Sequence, residues 1–418
     1  MKEVKYNPKH INRYNYLFHW NSINTILNNH ELYLKGKYSL PYPITIEIDP
    51  IDICNHKCIW CFTNIHRRIS SLDTSLLDNL LNDLKDSCTI SIHFSGGGEP
   101  TLYTDLFRDI HGNSIIQKYM NHFTMGLITN GSIIHTMDTK YITKGLKWIR
   151  FSIDAGTDSH YNYIHKPASN TLCDVHNNIS NIIKQRNDSI YPVVGCSFIY
   201  DRFDNDILKE IRLFVENMSS FGIDYVQIKP ENNFSPFTTQ HIINSIKNTI
   251  NPILINSNTF ATIDAPYKIN DTSDFCWYSY FGPAIGASGG IYSCCSKYGQ
   301  DDYNYGYITN TCGFNEIWNS NKRINIVKGI KPSACKSCRH AIFNNEINKL
   351  YKIKQKDRDH LSSIMELLKE GYSINRVNIP QSLLFLKRGL THYQTILKYG
   401  YNRLLDYPVY RETYIIGV

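Results

Sequence analysis

Residues 44–61 read ITIEIDPIDICNHKCIWC, and two patterns inside this stretch decide the fold. Ile44–Ile48 alternates apolar and polar residues, as a half-buried strand does. Just beyond it, Cys54, Cys58 and Cys61 form a C-x3-C-x2-C triplet on one short loop. Three thiolates so placed can hold three irons of a cubane cluster and leave the fourth open to an external ligand. The same triplet could instead bind zinc, or its members could be buried structural cysteines.

Outward from this stretch, apolar runs alternate between the two periods. Strand patterns fall at Ile90–Phe94, Met125–Thr129, Trp148–Ile153, Val193–Tyr200 and Tyr225–Ile228. Helical spacing falls between them, at Leu76–Leu84, Ile115–Tyr119, Val175–Ile183 and Ile207–Met218. This alternation predicts an α/β fold, a partial (β/α)6 barrel over residues 43–235. An aromatic and basic segment, 1–42, precedes it, with one helix around Trp20–Asn28. A linker and cysteine-rich region, 236–345, follows. A helical extension, 346–418, closes the chain, with apolar runs at Leu361–Leu368 and Leu383–Leu386.

The chain has 418 residues, 44 basic and 37 acidic, so its net charge is 44 − 37 = +7. A hydrophobic share of 42% excludes a disordered protein. The basic excess is spread along the chain, which permits an anionic small molecule and argues against nucleic acid as partner. Residues 1–14 are polar, without a signal-peptide core, and no apolar run approaches the roughly 18 residues of a membrane span. A cytoplasmic protein away from membranes is therefore expected. There, twelve cysteines suggest metal or redox chemistry rather than disulfides.

Functional residues of such barrels gather at the C-terminal ends of strands. After strand two comes Ser95-Gly96-Gly97-Gly98-Glu99-Pro100, and Asn130 closes strand three. Ser152 and Asp154 share a face at the end of strand four, although Asp154 could simply cap a helical turn near Asp158. On strand five either Cys196 or Ser197 could face the barrel. Gln227 and Lys229 end strand six, where Lys229 could meet an anionic substrate or only solvent. Farther on, Cys276, Cys294, Cys335 and Cys338 are spaced C-x17-C-x40-C-x2-C. Four thiolates would close a second cluster, or a zinc ribbon.

The triplet, with Trp60 before its last cysteine and Gly97-Gly98-Glu99 after strand two, resembles the radical S-adenosylmethionine (radical SAM) superfamily. Residues 276–338, with the hairpin Ser288–Cys294 and the closing Cys335-Lys336-Ser337-Cys338, resemble its SPASM/Twitch extension. Four cysteines match the shorter Twitch form with a single auxiliary 4Fe–4S cluster, and the spacing favours Cys294 over Cys295. The resemblance implies a 4Fe–4S cluster on Cys54, Cys58 and Cys61 that binds SAM. Trp60, Gly97, Gly98, Glu99 (or carbonyls beside it), Asn130, Ser152, Asp154 and Ser197 would surround that cofactor.

Reduction by a flavodoxin or ferredoxin would cleave SAM to a 5′-deoxyadenosyl radical that takes hydrogen from a small sugar- or cyclitol-like substrate. Oxidation would follow if the auxiliary cluster accepts the second electron, and epimerisation if Cys196 returns a hydrogen atom. A peptide-modifying enzyme is the alternative, and a non-catalytic zinc- or Fe–S-binding interaction module is the alternative of another class. Peptide-modifying relatives usually carry a winged helix, for which residues 1–42 are too short.

Overall fold

The computed structural model describes residues 17–399, apart from 18, 62, 64–69, 109–113, 187–188, 190, 232–233, 235–238, 265–271, 336–337 and 339. The expectations for residues 1–16 and 400–418 lie outside the described residues. Two compact units are present. Among the described residues, the first falls within 42–264 and 278–329, and the second within 17–41, 272–277 and 330–399.

In the first unit, β1 (Thr45–Ile48), β2 (Ser91–Phe94), β3 (Thr124–Thr129), β4 (Trp148–Ser152), β5 (Val193–Tyr200) and β6 (Tyr225–Pro230) run parallel in chain order. These are the six strands that alternation predicts. A seventh parallel strand, β7 (Phe260–Ile263), pairs with β6 in the stretch expected to be linker. At the other edge, β8 (Ala284–Ile285) lies parallel to β1 and begins an antiparallel set with β9 (Gly290–Tyr292) and β10 (Asn304–Tyr307). One ten-stranded sheet results. The region 236–345 is thus not one body, because 278–329 stays with the barrel.

The chain's first described helix, α1 (Trp20–Leu34), belongs to the second unit. The crossovers of the first unit carry α2 (Thr74–Lys85), α3 (Ile115–Tyr119), α4 (Lys140–Gly145), α5 (Asp158–His165), α6 (Leu172–Arg186), α7 (Asn205–Ser220) and α8 (Thr239–Leu254). In α7, Ile207, Ile211, Phe214, Val215 and Met218 form the buried stripe, and the Asp204 carboxylate caps the start by accepting from the Ile207 amide. These helices explain why one face of every barrel strand is apolar. Ile46, Ile92, Leu127, Phe151, Cys196 and Val226 have no exposed surface.

The opposite face carries Glu47, His93, Gly126, Trp148, Arg150, Ser152, Gly195, Ser197, Tyr225, Gln227 and Thr262, by strand alternation and register. Gly126 and Gly195 make room there for two large rings. A Cβ on Gly126 would strike Trp148, and one on Gly195 would strike Tyr225. The two rings fill the floor of the lumen, and the polar groups lie above them.

In the second unit, α1 packs with the later helices. Trp20 Nε1 donates to Ser362 Oγ at 2.7 Å, and the buried Arg358 guanidinium donates to the carbonyls of Tyr351 and Ile353 and to Asn28 Oδ1. None of the described helices is long and apolar enough to cross a membrane.

Candidate radical SAM site

The loop after β1 is held from two sides. From one side, the Gly97-Gly98-Glu99 turn after β2 lies against it, the Gly98 amide donating to Ile51 O at 2.8 Å and the Glu99 amide to Ile53 O at 2.9 Å. A Cβ on Gly98 would run into the Asp52 and Ile53 backbone, so only glycine allows this approach. Gly97 faces the Asp52 carboxylate and the Tyr298 hydroxyl, which are hydrogen-bonded to each other. From the other side, the end of α5 offers carbonyls left over by its last turn. The amides of Lys57 and Ile59 donate to His165 O and Ile164 O, at 2.9 and 3.0 Å.

Each sulfur of the triplet has a polar neighbour. Cys54 Sγ accepts from the His56 amide at 3.4 Å, Cys61 Sγ lies 3.3 Å from Thr63 Oγ1, and Cys58 Sγ lies 3.1 Å from His165 Nδ1. The other ring nitrogen of His165 lies 2.8 Å from Ile153 O. A carbonyl only accepts, so Nε2 carries the proton, and in the neutral ring Nδ1 accepts the Cys58 S–H. His56 joins this group, and the ligand atoms of His56, Cys58 and His165 all lie within 4.8 Å of one another. Burial pushes the His56 imidazole down to about 3, helped by its neighbour His165. His165 is also lowered by burial, with Asp154 and the Ile153 carbonyl pulling the other way.

Asp154 sits where β4 meets its loop, with φ of 53°, a left-handed conformation that few side chains other than glycine adopt. It is buried, accepts from the Ile199 amide at 2.8 Å and lies 3.6 Å from His165 Nε2. Burial raises its carboxyl, opposed by His165, Lys229, the Ile199 amide and the Trp60 indole. Asp154 does not cap the following helix, because Thr157 does. Trp60, Asp154, His165 and Cys58 therefore form one connected group.

Glu99 is only 3% exposed and is heavily used. Its Oε1 accepts from the Thr101 amide, Thr101 Oγ1 and Thr129 Oγ1, and its Oε2 accepts from the Asn130 amide at 2.8 Å. Burial raises the Glu99 carboxyl above its usual range, with these four hydrogen bonds pulling it back. The carboxylate thus clamps β2 to β3, leaving capacity for a ligand on Oε2 alone. Asn130 extends the clamp to the cysteine loop, its side-chain amide donating to Asn55 Oδ1 at 2.8 Å.

Ser152 and Ser197 are register partners on the lumen face, in one layer with Gln227. Cys196 pairs with Phe151 and Val226 on the helix-covered face. This corrects its expected place as a hydrogen donor facing the barrel. A thiol one residue from Ser197 must point the opposite way, and burial pushes it well above its ordinary pKa.

The donor set suits a 4Fe–4S cluster. Three half-buried thiols share one braced loop, each with a hydrogen-bonding neighbour of the kind that tunes such clusters. Of the second set, Cys294 follows β9 in the first unit, while Cys276, Cys335 and Cys338 belong to the second, and all four are half-buried. Cys295, the alternative to Cys294, is buried. His165 and Arg150 were not legible as site residues in the sequence.

A braced triplet at the C-terminal end of a parallel barrel, with a glycine–glutamate clamp beside it, is a site able to hold an iron–sulfur cluster with one iron open. Residues 48–196 match the radical SAM superfamily and residues 276–339 match the SPASM iron–sulfur cluster-binding domain. The chain belongs to the radical SAM superfamily, and its cofactors are a 4Fe–4S cluster, SAM and auxiliary iron–sulfur. The fold is similar to that of SuiB from Streptococcus suis bound to precursor peptide SuiA, with a TM-score of 0.54, 15% identity, and coverage of 78% of this chain and 77% of that one. It is similar also to anSMEcpe with bound AdoMet, with a TM-score of 0.50, 15% identity, and coverage of 72% and 88%. Among curated proteins, GTPase Obg of Brachyspira hyodysenteriae is 26% identical over 129 residues, 29% of this chain and 18% of that protein. The chain spans less than half the length of the curated relatives it matches.

Proposed function

We propose that the chain is a radical SAM oxidoreductase acting on a small polar molecule held in the barrel lumen. The observation that carries this reading is the polar face of β1–β7, which opens beside the cysteine loop. When bound, the cluster and SAM supply a radical able to remove hydrogen from an unactivated C–H bond. Cys54, Cys58 and Cys61 would hold the cluster as thiolates, with His165 beside Cys58 and Asp154 beside His165. Ser152 and Ser197 offer hydroxyls to the cofactor, and Glu99 Oε2 with neighbouring carbonyls offers acceptors for an ammonium group. The floor of Trp148 and Tyr225 excludes water from below.

Oxidation is favoured over epimerisation because the Cys196 thiol is turned away from the lumen. In keeping with the Twitch form, Cys276, Cys294, Cys335 and Cys338 would hold one auxiliary 4Fe–4S cluster, which would supply an electron acceptor for an oxidation. A flavodoxin or ferredoxin would supply the first. A peptide substrate is the second reading, recommended by SuiB, whose crystal structure holds a precursor peptide.

Anaerobically reconstituted protein should carry about eight irons, four per cluster, and release 5′-deoxyadenosine from SAM under reductant. Alanine at Cys54, Cys58 and Cys61 should abolish that release, and alanine at Cys335 and Cys338 should remove about half the iron. Deuterium transfer from labelled sugars, cyclitols or peptides into 5′-deoxyadenosine would identify the substrate. Full zinc loading with no iron absorption would refute the reading.

A further inference from the structure

Among the described residues, one cation of the lumen has no acid to answer it. His93 lies 3.2 Å from Glu47, and Lys229 interacts with Asp154. Arg150, projecting from the middle of β4, has only a neutral partner among the described residues, its Nη1 donating to Gln227 Oε1 at 3.3 Å. Gln227 passes the contact on, its amide donating to Asp264 Oδ2 at 3.2 Å. Arg150 Nε is buried and lacks a hydrogen-bond partner, as does Thr262 Oγ1, whose residue is the register partner of Gln227. Arg186 also has an orphaned Nε, but Asp224 answers its charge. Among the described residues Arg150 has no such compensation, and leaving a buried donor unpaired is unfavourable.

Resting on the small-molecule reading above, we propose that the substrate carries a carboxylate, which binds the Nε–Nη2 edge of Arg150. Nη1 is already engaged by Gln227, so this edge is the side left for two parallel hydrogen bonds. Thr262 supplies a hydroxyl beside Gln227, and Asp264 an acceptor for a hydroxyl or ammonium farther along the same molecule. A single negative charge matches the single uncompensated cation, whereas a phosphate dianion would ask for two. The rings of Trp148 and Tyr225 set the depth of the site and leave the remainder of the substrate toward the strand ends, where Ser152 and Ser197 lie.

The test is protection of Arg150 from phenylglyoxal in the reconstituted holoenzyme, read by peptide mass spectrometry with and without SAM. Saturating acetate should slow labelling of Arg150 roughly tenfold by mass action, and acetamide should leave it unchanged. Equal protection by acetamide, or none by acetate, overturns the proposal. Full protection by SAM alone would make Arg150 a cofactor ligand, and stronger protection by phosphate would make the group a phosphate; either overturns the proposal. Stronger protection by an acidic pentapeptide would reassign the carboxylate to a peptide and overturn it likewise. Release of 5′-deoxyadenosine by the same preparation is scored separately. Protein that cleaves SAM but shows no acetate protection refutes this inference alone, whereas protein that cannot cleave SAM refutes the enzymatic reading.

Discussion

The two faces of the parallel sheet are made by the same strands, one residue apart, and their chemistry is opposite. The helix-covered face of β4 and β5 presents Ile149, Phe151, Val194 and Cys196, all without exposed surface. The lumen face presents Trp148, Arg150, Ser152, Gly195 and Ser197. Stability belongs mainly to the first face, where apolar area leaves water. The second face leaves the Arg150 Nε donor unpaired and uses Gly126 and Gly195 to seat two rings, which is the pattern of a surface shaped to receive a ligand. A shift of one residue in register would exchange the two faces.

The largest expected effect is on the packed face. Phe151→Ala should destabilise the protein by about 3–5 kcal/mol, measured by urea unfolding, and an effect as small as that of a surface change would break the contrast. On the lumen floor, Gly195→Ala should cost about 1–3 kcal/mol, because its methyl would displace the Tyr225 ring. A fully tolerated alanine there would show that the floor is looser than the contact implies.

The neighbours Cys196 and Ser197 sharpen the comparison further. Cys196→Ala should lower stability by about 1 kcal/mol and leave SAM cleavage as it was. Ser197→Ala should leave stability within about 0.5 kcal/mol while weakening SAM binding, as equilibrium dialysis would read. The smallest effect is kinetic. At pH 8 Cys196 should resist iodoacetamide while the exposed Cys173 reacts, since burial both covers the Cys196 thiol and raises its pKa. Comparable labelling of the two would place Cys196 on an open surface.

Six barrel strands and the helices α2, α3, α6 and α7 were legible because each is announced by its own local periodicity. The strand β7 was hidden because its residues, Phe-Ala-Thr-Ile, do not alternate apolar with polar. The β8 strand is shorter still, two residues recruited by the open edge of β1. Strand five left Cys196 and Ser197 equally open, since alternation gives two faces without saying which one the helices cover. Pairing of Ser197 with Ser152 and Gln227 decides between them.

Sequence alone determined the cysteine triplet, the glycine–glutamate turn and the αβ rhythm, because loop spacing and side-chain period are set by covalent geometry over a few residues. Tertiary structure alone decided that His165 meets Cys58, 107 positions away, and that Arg150 faces Gln227 with no acid beside it among the described residues. Those contacts depend on which strands become neighbours and how far they are staggered. That follows from burying the apolar faces of the whole sheet at once, and no short stretch of chain records it.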